Sequence, residues 1–245
     1  MRKIPTSAIP TVTRRQALTG VAATLGAGLT VGAGTAVQAR QRTAAVLSAG
    51  NICVLTPKAM EGPFYFDPKL VRADITEGKQ GVPLKLTLQV VDAKDCAKLQ
   101  RARVDIWHSD ALGVYSGYAR QETGSTKGET FLRGTQFTDA DGQVSFATIY
   151  PGWYPGRTPH IHFKVLLDAT SLITGQLYFP DAVTERIYAT LPPYRERKGN
   201  RDTSNANDFI FRDQGGAETM VKIGEDAGRY STSLVIGVAR SGNRA

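Results

Sequence analysis

The 245-residue chain has little of what redox and metal sites are usually built from: two cysteines, three histidines and three methionines. Neither cysteine neighbours a histidine pair in sequence, so Cys53 and Cys96 are not read as metal ligands. Both lie downstream of an export-like segment, and in an oxidising compartment such a pair forms a disulfide. A dense Lys/Arg block is also lacking. Net charge is +8, and it falls to 26 − 22 = +4 once Arg2, Lys3, Arg14 and Arg15 are set aside with residues 1–39. That mild basicity gives no argument for nucleic-acid binding. No apolar run is long enough for a stable membrane span, since Val21 to Ala36 is Gly/Ala-rich and only weakly hydrophobic. No internal repeat is visible.

Residues 1–39 read as an export signal. Arg14-Arg15 is followed by that uncharged run and by a small-residue cleavage site at Val37-Gln-Ala39, the pattern of the twin-arginine route. The expected location is the periplasm or the outside of the cell. Residues 40–50 read as a leader, and residues 51–245 as one catalytic domain.

Within that domain the apolar pattern has the period of strands. Leu84, Leu86, Leu88 and Val90 alternate with Lys85, Thr87 and Gln89, the mark of a half-buried strand. Val104 to Trp107, Phe131 to Phe137, Gln143 to Ile149, Ile161 to Leu167, Gly175 to Phe179, Asp208 to Phe211 and Tyr230 to Val238 continue the series. Asp139-Ala-Asp-Gly142 marks a hairpin, its aspartates acting as turn formers. Ala182 to Thr190 has a helical reading; residues 51–75 read as an ordered loop over the core, and 192–207 as a charged surface loop. The expected fold is all-β, an antiparallel β-sandwich with long loops and few short helices.

Two of the three histidines stand as His160-Ile-His162 at the head of a strand. Alternation puts i and i+2 on one face, so the two imidazoles project together and suit one metal ion. Tyr154 lies upstream on a Pro/Gly-framed turn, and Tyr115 and Tyr118 are further candidates that spacing alone does not separate. Tyrosine titrates near pH 10, so it ligates zinc or copper poorly at neutral pH. Trivalent iron is hard and highly charged enough to displace the phenolic proton. Two histidines with two tyrosines therefore point to Fe(III), whose three charges two phenolates and a hydroxide would balance. His108, beside Trp107, reads as a hydrogen-bonded structural residue.

The ordered series Trp107-His-Ser-Asp-Ala-Leu-Gly-Val-Tyr115-Ser, Thr138-Asp-Ala-Asp-Gly142, Tyr150-Pro-Gly-Trp-Tyr154, Arg157-Thr-Pro-His160-Ile-His162-Phe and Gln176-Leu-Tyr-Phe resembles the intradiol ring-cleavage dioxygenases over about residues 52–180. The resemblance implies Tyr115, Tyr154, His160 and His162 as ligands of Fe(III), with Tyr154 leaving when substrate binds. It implies Arg157 and Gln176 as the polar pair beside the ring, and Gly62-Pro-Phe-Tyr65 as a border of the pocket. The substrate would be a catechol cleaved with O2 to a cis,cis-muconate-type diacid. The N-terminal helical dimerisation segment of the catechol-type enzymes has no counterpart, which leaves a homodimer open. Rival readings are a secreted β-sandwich that binds aromatics or carbohydrate without turnover, and a zinc or copper hydrolase or oxidase. The short Tyr154–His160 segment predicts a shallow pocket, open on one side and edged by 62–65 and 111–114. No dedicated basic cluster borders these motifs, so no strict carboxylate requirement is expected, and protocatechuate is not expected to be uniquely preferred.

Overall fold

The computed structural model describes residues 53–121 and 124–240. The segments read as an export signal and a leader, residues 1–50, lie outside the described residues. Among those described, eight strands form two four-stranded sheets. One sheet has the order β4-β1-β8-β7, from Gln143–Ile149, Pro83–Asp92, Arg229–Val238 and Ile223–Asp226. The other has the order β3-β2-β5-β6, from Arg133–Phe137, Arg103–Trp107, His160–Leu167 and Thr170–Tyr178.

The core lies between the sheets and follows directly from alternation. Leu84, Leu86, Leu88 and Val90 of β1 are buried, as are Val104 and Ile106 of β2 and Ile161, Phe163 and Val165 of β5. Each such side chain contributes about 1.5–3 kcal/mol of burial. His108 joins the two sheets where β2 ends. Its Nδ1 lies 2.8 Å from Ser109 O and its Nε2 2.7 Å from Thr148 Oγ1 on β4, so the ring is a structural hydrogen-bonding element.

Three features depart from the sequence reading. The sandwich is not wholly antiparallel, because β8 runs parallel to β1 from Leu84↔Tyr230 to Asp92↔Val238. A parallel pairing needs a long connection. Between these strands the chain crosses to the second sheet and makes the excursion that holds α1 (Asp181–Thr190) and α2 (Phe209–Asp213). Second, Asp208–Phe211 is the start of α2 rather than a strand. The Asp208 carboxylate accepts from Ile210 N (2.8 Å) and Phe211 N (3.2 Å), an N-cap that overrides the strand preference of Phe-Ile-Phe. Third, the segment 192–207 is charged but not merely superficial. Tyr194 is buried, donating to Tyr150 O (2.6 Å) and accepting from Val82 N (3.1 Å), and Thr203 and Asn205 are buried too. Strand β7 lacked an apolar pattern, and its hairpin with β8 turns on Ala227 and Gly228, both at positive φ.

The expected disulfide is present: Cys53 is joined to Cys96 across 43 residues. Reducing it should lower unfolding stability by about 3–4 kcal/mol, measured as the shift of a urea midpoint; an unchanged midpoint would count against that role. A second expectation concerns pH. Burial, opposed by the Ser109 carbonyl, lowers the His108 pKa from 6.5 to about 4. The unfolded chain therefore binds a proton that the folded chain refuses. Stability should be unaffected by this group above pH 6.5 and should fall between pH 6.5 and 4, by on the order of 3 kcal/mol. His108→Gln should flatten that slope relative to the unaltered protein in urea titrations at both pH values. Equal slopes would remove His108 as the cause.

Candidate metal centre

Strand β5 places the site. Its odd residues enter the core, so His160 and His162 stand on the opposite face of the same sheet. Register sets Trp107 of β2 and Gln176 of β6 on either side of His162, and Tyr178 beside His160. Loops cover this face: Phe64 and Tyr65 from the first, Tyr115 from the segment after β2, and Tyr154 from the Pro/Gly turn before β5. That turn folds back through an isolated bridge between Tyr154 and Arg157. Gly113 lets the covering loops meet, since a Cβ there would lie 2.0 Å from Trp153 O.

Four electron-pair donors converge. His160 Nε2 lies 3.1 Å from His162 Nε2 and 3.1 Å from Tyr154 Oη. The Tyr115 ring packs at 5.7 Å from Tyr154 and 6.3 Å from His162, and its buried hydroxyl has no hydrogen-bond partner among the described residues. His160 Nδ1 lies 2.7 Å from Thr158 O, which assigns the proton to Nδ1 and leaves Nε2 a lone pair. Donors about 3 Å apart are what a transition ion with bonds of about 2.1 Å brings to adjacent positions. Burial, helped by the Arg157 cation, holds both imidazoles well below the usual histidine pKa, so they are neutral donors. Burial pushes both phenols up, with the neighbouring Tyr154 adding to the effect on Tyr115. Without a cation these groups would stay protonated; with one, each offers a lone pair or an anion.

Arg157 borders the same point, with Nη1 3.4 Å from both Tyr154 Oη and His160 Nε2. It is anchored by Asp208, which accepts from Arg157 Nε and Thr158 N at 2.9 Å each. Gln176 Oε1 accepts from Arg157 Nη2 (2.5 Å) and Tyr178 Oη (2.8 Å), and its amide donates to Met60 O (2.9 Å). The structure thus brings Tyr115, Tyr154, Arg157, His160, His162 and Gln176 into one cluster. Tyr118 is elsewhere: its hydroxyl donates to Tyr65 O at 3.5 Å and its ring packs edge-on to Phe64.

Comparison with known proteins bears on this cluster. The Dioxygenase family model matches residues 60–185, more than half of the chain. The chain belongs to the intradiol ring-cleavage dioxygenase family. An intradiol ring-cleavage dioxygenase from Tetranychus urticae shares 32% identity and a TM-score of 0.70, covering 76% of this chain and 95% of its own. Among curated proteins, a catechol 1,2-dioxygenase of Acinetobacter baylyi is 30% identical over 145 residues, 50% of this chain and 45% of that one. A protocatechuate 3,4-dioxygenase beta chain of Burkholderia cepacia is 33% identical over 122 residues, 44% of this chain and 51% of that one. The chain therefore matches about half the length of these curated relatives.

Around this cluster the surroundings are aromatic and cationic. Phe64 stacks on Tyr115 at 4.3 Å, and Trp107 stacks on His162 at 4.7 Å, both nearly parallel. Trp107 is backed by Tyr65, whose hydroxyl donates to Asp105 Oδ2 at 2.9 Å. His162 Nδ1 is buried without a partner among the described residues, so the indole face rather than a hydrogen bond orients that ring. Buried Arg133 takes part in no ion pair among the described residues, and burial lowers its pKa to about 10. Its guanidinium donates to Phe64 O, Ser116 O and Ser116 Oγ and lies over Phe66 at 4.2 Å, pinning two of the covering loops together. A cavity of about 300 Å³ opens beside the centre, lined by Phe64, Leu112 to Val114, Tyr115 and Tyr154. Its edges are the predicted ones. Arg120 and Arg197 also line it.

Asp208, Tyr178 and Arg133 were missed in the sequence. Tyr178 was legible in hindsight, two residues from Gln176 on one strand; Asp208 carried an N-cap signal that the aromatic run after it obscured. Arg133 carried none. Replacing Asp208 with Ala should destabilise the protein by about 3–5 kcal/mol, because it strands a buried guanidinium and uncaps α2. Urea unfolding measures this, and a loss under about 1 kcal/mol would show that Arg157 is balanced by other groups.

Proposed function

We propose that the protein is an intradiol dioxygenase that holds one Fe(III) through Tyr115, Tyr154, His160 and His162. The convergence of four neutral or ionisable donors, with the buried Tyr115 hydroxyl unpartnered, is the observation that carries this reading. Two phenols are the donors expected to select a hard trivalent ion over zinc or copper. Bound there, the ion would supply the Lewis acidity that ionises a catechol and makes its ring electron-rich toward O2.

The chain's own residues supply the rest. Both phenols line the cavity, but Tyr115, His160 and His162 are buried whereas Tyr154 is half-buried. Tyr154 is thus the donor placed to give way to substrate, its Oη accepting a catechol proton as it does so. Arg157 is held by Asp208 and Gln176 against the position of the ring, where a fixed cation stabilises developing negative charge far better than water would. Phe64, Trp107 and Tyr65 exclude water from the buried side. In the net reaction the bond between the two hydroxyl-bearing carbons breaks and both atoms of O2 enter a cis,cis-muconate-type diacid. Export by the twin-arginine route belongs to the same reading, because that route carries folded proteins with metal already loaded.

Purified protein should carry about one iron per chain and absorb visible light through its tyrosinates. Tyr115→Phe and His162→Ala should lose iron, colour and catechol-dependent O2 uptake. A colourless, folded, zinc-loaded protein would favour the hydrolase reading, and an aromatic-binding protein without metal or O2 uptake the binding-module reading.

A further inference from the structure

Two tyrosines meet at the metal centre, and the chain holds their backbones by different means. Tyr154 is held by its own turn, its carbonyl accepting from Arg157 N at 3.1 Å. Ties from outside reach that turn on either side of it, from Arg197 to Trp153 O and from Gly156 N to Asp202 Oδ2 (3.2 Å). Tyr115 lies in the loop after β2, outside every strand of the described residues, so no backbone ladder fixes it. A side chain does so instead. Gln121 Oε1 accepts from Tyr115 N at 2.7 Å, and Gln121 Nε2 donates to Tyr115 O at 2.5 Å. The backbone N–H can only donate and the carbonyl only accept, which settles the orientation of the amide. Gln121 thus pairs with both backbone groups of one residue, as a residue opposite it in an antiparallel ladder would. Thr126 completes the clamp, its Oγ1 donating to Tyr115 O (2.7 Å) and accepting from Gln121 Nε2 (2.9 Å). Thr126 is buried, and Gln121 is half-buried in the cavity wall.

We propose that Gln121 is the positioning residue of Tyr115, fixing the backbone from which this phenol reaches the metal. The inference rests on the iron-binding reading and adds to it what holds one of the ligands in place. A metal ligand must be kept within about 0.5 Å and 10–20° of its working geometry. Phe64, stacked on Tyr115 at 4.3 Å, sets the plane of the ring. A stacked ring can still slide in its own plane, so stacking leaves the distance from phenol oxygen to metal open. The clamp on the backbone closes it. The two means of holding suit the two phenols: a backbone gripped from outside for the one that stays, and a self-contained turn for the one that gives way.

The test removes the clamp and reads the metal, not the turnover. In the full-length protein Gln121→Leu keeps much of the side-chain volume and deletes both hydrogen bonds. Its affinity for Fe(III), measured by competition with a ferric chelator, should fall about ten- to a hundredfold, the range for loss of an outer-shell partner. The visible absorption per bound iron should weaken and shift, because Tyr115 no longer meets the ion squarely. Gln121→Glu keeps the acceptor for Tyr115 N and loses the donor to Tyr115 O. It should fall between the two, and it decides the matter if the leucine variant does not fold. Affinity and absorption both equal to those of the unaltered protein overturn the inference. So does a loss of affinity with an unchanged spectrum, which marks a weakened fold and not a misplaced phenol. In either case the iron-binding reading stands. If the unaltered protein takes up no iron, or takes it up without tyrosinate absorption, that reading falls and this inference with it.

Discussion

A β-strand shows its side chains to two faces in turn, and β5 uses both faces at once. Ile161, Phe163 and Val165 lock the strand into the core of the sandwich, while His160 and His162 stand on the other side. The site inherits its rigidity from that arrangement. A shift of one residue in the register of β5 would bury the imidazoles among leucines and valines and expose Ile161 and Phe163, so the hydrophobic pattern that folds the sheet also aims the donors. The neighbours in register, Trp107, Gln176 and Tyr178, are placed by the same constraint.

What the sheet cannot supply, the loops bring, and they are held by charge and aromatic packing rather than by backbone ladders. Arg133 ties the 64–66 segment to the Tyr115–Ser116 turn, and Asp208 ties Arg157 to α2. Both guanidiniums are buried, but they are balanced differently. Arg157 has a buried carboxylate partner, and Tyr154 with Asp208 raises its pKa against the opposing effect of burial. Arg133 has carbonyls and aromatic faces instead, and burial lowers its pKa. A site that gathers positive charge around neutral donors is suited to anionic ligands, whether phenolates on a metal or a catecholate entering beside it.

The rival readings separate on this electrostatic ground. A module that only bound aromatics would need the stacked rings but would gain nothing from two lone pairs 3.1 Å apart in a buried place. A zinc hydrolase would have use for the imidazoles and none for two phenols whose pKa burial raises further. Membership of the dioxygenase family and the donor set agree in the direction they point.

The amino-acid sequence by itself determined whatever depends on near neighbours along the chain. Alternation in β1 and β5, the Asp139–Gly142 turn and the shared face of His160 and His162 are local facts, and they were legible. So was the cluster of Tyr115, Tyr154, Arg157 and Gln176, through an ordered series of motifs. Only the tertiary structure decided which distant residues face the site. Arg197 and Arg120 meet the cavity because two loops converge there, and Arg133 reaches Ser116 and Phe64 from an unremarkable strand end. The parallel pairing of β8 with β1 belongs to the same class, since strand direction depends on the path of the intervening chain and leaves no periodic trace. Asp208 sits between the two. Its capping propensity is local, but its ion pair with Arg157 spans 51 residues, a distance over which no side-chain pattern carries information.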